Sequence, residues 1–270
     1  MSRLQQTFTS LRANNEKAFI PFVTCGDPDL KTTRELLLAY VEAGADIVEI
    51  GIPFTDPLAD GPTVQRASER ALAAGATMDD ALALIANVRT QTEVPLVPMT
   101  YINPVYQIGY DRFAARCREV GTDGVIISDL PPEEGQAWVE AGRKHGVDTI
   151  FLLAPTSDDR RVETVAHAAS GFIYAVARMG VTGARSDVPP EIGDLIDRIR
   201  RHSNTPVCAG FGFSSPQQIQ KTCRDTAVDG IVVASALIDR IENTPGTSEE
   251  KTQAAATFAR ELRAATRATA

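Results

Sequence analysis

The chain has 270 residues, 43% of them hydrophobic and 23% charged, and a formal net charge of −8. That composition excludes a disordered chain, and an acidic balance with Lys/Arg clustering no further than Arg160-Arg161 and Arg200-Arg201 excludes a nucleic-acid footprint. No run approaches the ~18 apolar residues of a membrane span, the start MSRLQQTFTSLRANNEK has no apolar signal core, and Cys25, Cys117, Cys208 and Cys223 lack CxxC spacing, so we expect a cytoplasmic protein with reduced, mostly buried thiols and neither a zinc site nor a disulfide framework.

An amphipathic segment over about 2–13 predicts an N-terminal helix. AFIPFVT (18–24) reads as the first strand and TTRELLLAYVEAG (32–44) as the helix after it. DIVEIGI (46–52) is the second strand, followed by a Pro-rich loop and a helical stretch over 62–90. PLVPMTY (95–101), DRFAARCREVG (111–121), GVIISDL (124–130) and PEEGQAWVEAGRKHG (132–146) continue as strand, helix, strand, helix. TIFLLA (149–154), DDRRVETVAHAAS (158–170), GFIYAVA (171–177) and PPEIGDLIDRIRRHS (189–203) repeat the pattern. PVCAG (206–210), SPQQIQKTCRDT (215–226) and GIVVAS (230–235) close it, before the short stretch ALIDRI (236–241) and a C-terminal helix over about 248–268.

Strict strand–helix alternation means parallel pairing. Eight repeats in a chain of this length predict one α/β domain over 1–270, a closed (β/α)8 TIM barrel, with the extra N-terminal helix capping its bottom. The first strand is followed by TCGDPD, with one glycine and no dinucleotide-binding fingerprint.

Active sites of such barrels sit at the C-terminal ends of the strands. The polar residues there are Glu49 in strand two, Asp56 and Asp60 in the loop after it, Tyr101 and Asn103 after strand three, Ser128 and Asp129 at strand four, and Tyr174 and Arg178 from strand six. If Val48 and Ile50 face the helices, then Ile47, Glu49 and Gly51 face the barrel interior. A carboxyl buried there is paired, protonated or functional, and no strand cation is available to pair with it. Burial would raise its pKa toward neutrality, as suits a group that gives and takes protons. Asp60 in a Pro/Gly loop is equally consistent with a turn or N-cap residue, and Tyr174 with a packed aromatic.

None of Lys17, Lys31, Lys144, Lys221 and Lys251 falls on the C-terminal half of a predicted strand, which speaks against a Schiff-base amine. His145, His167 and His202 lie late in predicted helices, on the stability side of the barrel, which speaks against metal ligation. Acid/base chemistry by Glu49, Asp60 and Tyr174 remains. The later loops, RMGVTGA (178–184), GFGFSS (210–215) and VVASA (232–236), carry the glycines and small residues that let a backbone approach an anion. Together with a short helix starting at Ser235, they suggest a phosphate site, although turn chemistry alone also accounts for glycine there.

FIPFVTCGDPD (19–29), EIGIPFTDPLADGP (49–62), ISDLPPEE (127–134), FIYAVARMGVTGAR (172–185) and GFGFSSP (210–216) span nearly the whole chain. In these stretches it resembles the tryptophan synthase alpha family. The resemblance implies a carbon–carbon lyase that cleaves indole-3-glycerol phosphate to indole and glyceraldehyde 3-phosphate by retro-aldol chemistry. Glu49 then matches the acid/base that protonates the indole carbon and takes the hydroxyl proton. Asp60 matches the carboxylate that binds the indole N–H and offsets its developing positive charge, and Tyr174 an active-site tyrosine. Thr182 and Gly183 match a closing loop whose threonine reaches Asp60. Gly183, Gly212, Ala234 and Ser235 match the phosphate cradle, and Phe22 and Phe211 its apolar walls. Ala234 stands where the family usually has glycine, and Thr100 marks a changed apolar lining.

The resemblance also implies a beta-subunit partner in a two-alpha, two-beta complex, with indole passed to a pyridoxal-phosphate site in that partner and no cofactor in this chain. Pro53, Asp56, Pro57, Asn103, Pro104, Pro131 and Pro132 match its docking surface; rigid loop geometry is the other reading of these prolines. Two alternatives stand beside the lyase: a different phosphate-barrel enzyme such as a sugar-phosphate epimerase, and a barrel that chiefly activates the beta subunit.

Overall fold

The computed structural model describes residues 1–176, 190–210 and 212–267. After helix α1 (Arg3–Ala13) come β1 (Ala18–Thr24), α2 (Leu30–Glu42), β2 (Val48–Gly51), α3 (Pro62–Ala73), α4 (Met78–Arg89) and β3 (Leu96–Thr100). Then follow α5 (Ile102–Ile108), α6 (Tyr110–Glu119), β4 (Gly124–Ile127), α7 (Gln136–His145), β5 (Asp148–Leu153), α8 (Asp159–Ala168) and β6 (Ile173–Val176). The chain finishes with α9 (Pro190–Arg200), β7 (Val207–Gly210), α10 (Pro216–Asp225), β8 (Gly230–Val233), α11 (Ser235–Asn243) and α12 (Ser248–Arg267). The strands pair in chain order, all parallel, and β8 returns to β1, closing the (β/α)8 barrel.

Each expected strand is present. The departures lie at element ends and in the helices. The stretch 62–90 divides into α3 and α4 because Gly75 takes φ +85 and Thr77 starts a new helix, its hydroxyl and the Asp80 carboxylate exchanging a capping box. Helix α5, which the sequence did not announce, forms directly after β3.

Side-chain alternation divides the apolar residues into two cores. Val48, Ile50, Leu96, Val125 and Ile127 pack under the helices. Ile20, Ile47, Val97, Ile126, Ile150 and Phe172 fill the barrel. Leu4, Phe8 and Leu11 of α1 join the inner group, so this helix plugs the barrel bottom, each fully buried large apolar side chain contributing roughly 1.5–3 kcal/mol. Thr100 shares the outward side of Leu96, so it does not line the interior as the sequence suggested.

The bottom of the barrel follows a rule of its own. An acceptor just before each even-numbered strand takes a backbone N–H from the first or second residue of the preceding strand. Asp46 accepts from Phe19 at 2.8 Å, Asp123 from Leu96 at 2.9 Å, Ser170 from Thr149 at 3.0 Å and Asp229 from Val207 at 2.8 Å. These amides at the strand starts, which would otherwise be orphaned, are thus satisfied. The aspartates also hold the plug: Arg3 bonds Asp123 at 3.2 Å and Arg12 bonds Asp229 at 2.9 Å. Asp46 is gripped from the other side by Arg263 of α12, at 2.8 Å.

The four cysteines are buried and free. Burial pushes the thiols of Cys25, Cys117 and Cys223 up to about 12, which leaves them inert as nucleophiles. Among the described residues no single helix is long and apolar enough to cross a membrane.

Candidate active site

Glu49 sits at the centre of β2, in register with Phe22 of β1 and Val97 of β3. Its neighbours Val48 and Ile50 point to the helices, so strand periodicity alone turns its carboxyl inward. The side chain is 1% exposed, and its Oε2 has no hydrogen-bond partner. Burial first, and then the charge of Asp60, raise its pKa to about 8. It therefore holds a proton at pH 7.

Asp60 reaches the same region from the loop between β2 and α3. That loop is a tight turn, with the Asp60 N–H on the Pro57 carbonyl at 3.0 Å. The Gln65 side chain of α3 reaches back to the carbonyls of Asp60 at 3.0 Å and Pro57 at 3.3 Å. Gly61, not Asp60, is the N-cap of α3, so the plain capping role open from sequence is not the one it fills. The Asp60 carboxyl instead lies beside the Tyr101 hydroxyl. Burial lifts its pKa to about 6, and the polar tyrosine hydroxyl holds it down against that rise. Two carboxyls of one site are thus set apart: near pH 7 Glu49 is neutral and Asp60 ionised.

Tyr174 points into the barrel from β6, buried between Phe172 and the backbone of β7. Burial is the first cause that drives its phenol well above the ordinary tyrosine value, with the charge of Glu49 second. Gly210 gives it room, since a Cβ there would lie 2.6 Å from the Tyr174 hydroxyl. Gly51 does the same for Phe22, whose ring packs with Val64, Ala67 and Ile238. A Cβ on Gly51 would stand 2.4 Å from Phe22 Cζ. Gly51→Ala is expected to lower stability by about 1–3 kcal/mol by overpacking. A urea midpoint equal to that of the unchanged chain would show that the ring has space to yield.

Two strands round the barrel from β2, α11 starts where β8 ends, and its N-cap, Ala234, makes no side-chain capping bond. The first backbone amides of a helix lack intrahelical partners and favour an anion, and Ser235 and Ala236 occupy those positions. Gly212 lies exposed in the preceding loop with φ +86. The Ala234 methyl packs with the Phe22–Ile238 cluster. Arg178, Thr182, Gly183 and Phe211 lie outside the described residues.

Of the suggested docking residues, Pro53 is buried within the chain, while Asp56 and Asn103 are exposed and Pro57, Pro104, Pro131 and Pro132 are half-buried. Asn103 and Pro104 sit on α5 rather than in a loop. Leu58 and Tyr106, 82% and 73% exposed, stand in the same two segments and were not singled out from sequence. His145 and His167 end α7 and α8, away from the carboxylates.

Sequence reasoning named Tyr101 as a strand-end polar residue without giving it a partner. The signal that finds it is its position: it follows β3 directly, and β3 is the strand hydrogen-bonded to the Glu49 strand.

The model of the family described as Tryptophan synthase alpha chain matches residues 8–267. The tryptophan synthase alpha chain of Geotalea uraniireducens (strain Rf4) is 48% identical over 246 residues, 91% of each chain. That of Geobacter sulfurreducens is 46% identical over 265 residues, 98% of this chain and 99% of the relative. The crystal structure of tryptophan synthase subunit alpha from Legionella pneumophila str. Paris superposes with a TM-score of 0.88 at 35% identity, covering 98% of both chains. A structure of Mycobacterium tuberculosis tryptophan synthase matches with a TM-score of 0.89 at 37% identity, again over 98% of both. Similarity of this extent runs from the plugging helix through the paired carboxyls to α12, and the chain belongs to the tryptophan synthase alpha chain family.

Proposed function

We propose that Glu49 and Asp60 divide the work of the family's lyase reaction, the retro-aldol cleavage of indole-3-glycerol phosphate to indole and glyceraldehyde 3-phosphate. The observation that carries this reading is the neutral, buried Glu49 with an unpartnered Oε2 facing the same barrel mouth as the ionised Asp60. Glu49 gives its proton to the indole ring carbon that bears the glycerol chain, and the ring becomes an indolenine cation. Asp60 accepts the indole N–H and offsets that charge where little water screens it. The Glu49 carboxylate then takes the proton of the adjacent chain hydroxyl. The hydroxyl oxygen becomes the aldehyde carbonyl, the carbon–carbon bond breaks, and its electron pair restores the indole. Glu49 ends the cycle protonated, so no proton is gained or lost.

Tyr174 and Phe22 line the indole pocket, with Phe211 as a further wall. The phosphate lies against the backbone amides of Gly183, Gly212, Ala234 and Ser235, and Thr182 closes toward Asp60. The exposed surface carrying Asp56, Pro57, Asn103, Pro104, Pro131 and Pro132, with Pro53 supporting it from beneath, docks on a beta subunit in a two-alpha, two-beta complex. That subunit holds pyridoxal phosphate, and this chain needs no cofactor of its own. We read residues 1–270 as one barrel domain working in the cytoplasm.

The test is indole release from indole-3-glycerol phosphate across pH. Below about 6 Asp60 takes a proton and loses its charge, and above about 8 Glu49 loses the proton it must donate. We therefore expect kcat/KM to be bell-shaped with a maximum near pH 7 and to fall on both sides, the two limbs belonging to the coupled pair. A rate that keeps rising through pH 9 would rule Glu49 out as the acid.

A further inference from the structure

We propose that Tyr101 is a positioning residue for the lyase reaction: its hydroxyl clamps the loop after β2 at Ala59 and so holds the neighbouring Asp60 carboxylate in place. The inference rests on the Asp60 role proposed above. Tyr101 is the N-cap of α5, 3% exposed, and its ring stacks on Phe54 with centroids 5.0 Å apart and planes inclined by 22°. Its hydroxyl accepts the Ala59 backbone N–H at 3.2 Å and lies beside the Asp60 carboxyl. One phenol thus grips the loop at the residue before Asp60 and sets its polar O–H against the carboxylate.

The tyrosine is itself anchored. The N–H of the next residue, Ile102, bonds Asp129 Oδ1 at 2.7 Å, and the Ser128 N–H bonds the Thr100 carbonyl at 2.9 Å. Strands β3 and β4 therefore fix the base of the ring, and the ring fixes Asp60. The function of this arrangement follows from the loop it holds. Asp60 stands on six consecutive residues outside strand and helix, from Asp56 to the start of α3, of which Asp56, Leu58, Ala59 and Gly61 are exposed. A loop of that kind does not hold a carboxylate to a fraction of an ångström by itself, as charge stabilisation requires. A neutral O–H donor is also the right partner, because it favours the ionised carboxyl without neutralising it for the substrate N–H. Tyr101 is the ionisable group that acts on this carboxylate, whose charge in turn acts on Glu49 of β2 and Tyr174 of β6, while the charge of Asp129 also acts on Tyr101.

The experiment compares the unchanged chain with Tyr101→Phe and Asp60→Asn, reading kcat, KM and the pH profile. Tyr101→Phe keeps the stacked ring and removes the hydroxyl. Losing the hydroxyl that fixes the loop beside a charged group is expected to lower kcat about ten-fold or more and to move the acid limb of the profile up by about one pH unit. It should leave the alkaline limb, set by Glu49, near its place. An acid limb unmoved in Tyr101→Phe would overturn the proposal, whatever the change in stability. Asp60→Asn at full rate would instead overturn the Asp60 role itself, so the two failures are distinct. Should Tyr101→Phe not fold, the unchanged protein decides with tyrosine labelled at Cζ: the Tyr101 carbon resonance must follow the Asp60 titration and stay flat in Asp60→Asn. A resonance flat in both removes the clamp.

Discussion

Glu49→Gln is expected to lower indole formation by about 10²–10⁴-fold, the ordinary contribution of one positioned acid/base, while making the protein more stable at alkaline pH. Gln has nearly the shape of Glu, so the pocket is kept and only the transferable proton is lost. The stability effect comes from the same burial that serves catalysis. In the unfolded chain Glu49 titrates near 4.5, and in the fold near 8. Below 4.5 both states carry the proton and the residue is neutral to stability. Between 4.5 and 8 the unfolded chain releases a proton that the folded chain retains, so stability is lost as pH rises. The loss is complete above 8 and on the order of a few kcal/mol. Gln does not titrate, so the variant should gain on the unchanged chain between pH 5 and pH 9 in urea unfolding. A gap between the two that is the same at both pH values would mean that Glu49 is not held neutral, and full activity in the variant would place the proton elsewhere.

The second large effect is expected at the opposite end of the barrel. Arg263 of α12 is 5% exposed, and its guanidinium bonds Asp46 at 2.8 Å, Thr266 at 2.7 Å and the Lys17 carbonyl at 3.2 Å. Asp46 in turn holds the Phe19 amide of β1. Arg263→Met retains the apolar stem but leaves a buried carboxylate facing only the more distant Arg267, at 3.8 Å. Breaking one side of a buried pair typically costs about 3–5 kcal/mol. Burial lifts the Asp46 carboxyl to about 7, so denaturant unfolding at pH 9, where it is ionised, should show that loss, and Asp46→Asn combined with Arg263→Met should lose less than the single change, because the stranded charge is then gone. If Arg263→Met unfolds at the same urea concentration as the unchanged chain, the pair is only a surface contact and α12 is held by its apolar face alone.

These expectations differ in how much of their basis could be read before folding. Eight apolar runs separated by helical periodicities specify a parallel closed barrel, since each run needs cover on both faces and each crossover is long enough only for a helix. Alternation across IVEIG turned Glu49 inward, and burial then sets its proton, so the central acid was legible from five residues. The division of 62–90 at Gly75 was missed because a stretch of good helix formers hides one glycine whose backbone takes positive φ. The acceptors before β2, β4, β6 and β8 were missed for another reason. Asp46, Asp123, Ser170 and Asp229 look like ordinary turn residues along the chain, and the amides they satisfy lie on the preceding strand, between 21 and 27 residues away. Asp60 was the same kind of case, a loop acid by sequence, until a tyrosine 41 positions onward gave it a partner. Periodicity is a local property, and by itself the sequence determined the barrel, its faces and the buried acid. Partnership between side chains depends on where closure of the barrel brings distant backbone together, and only the tertiary structure decided that.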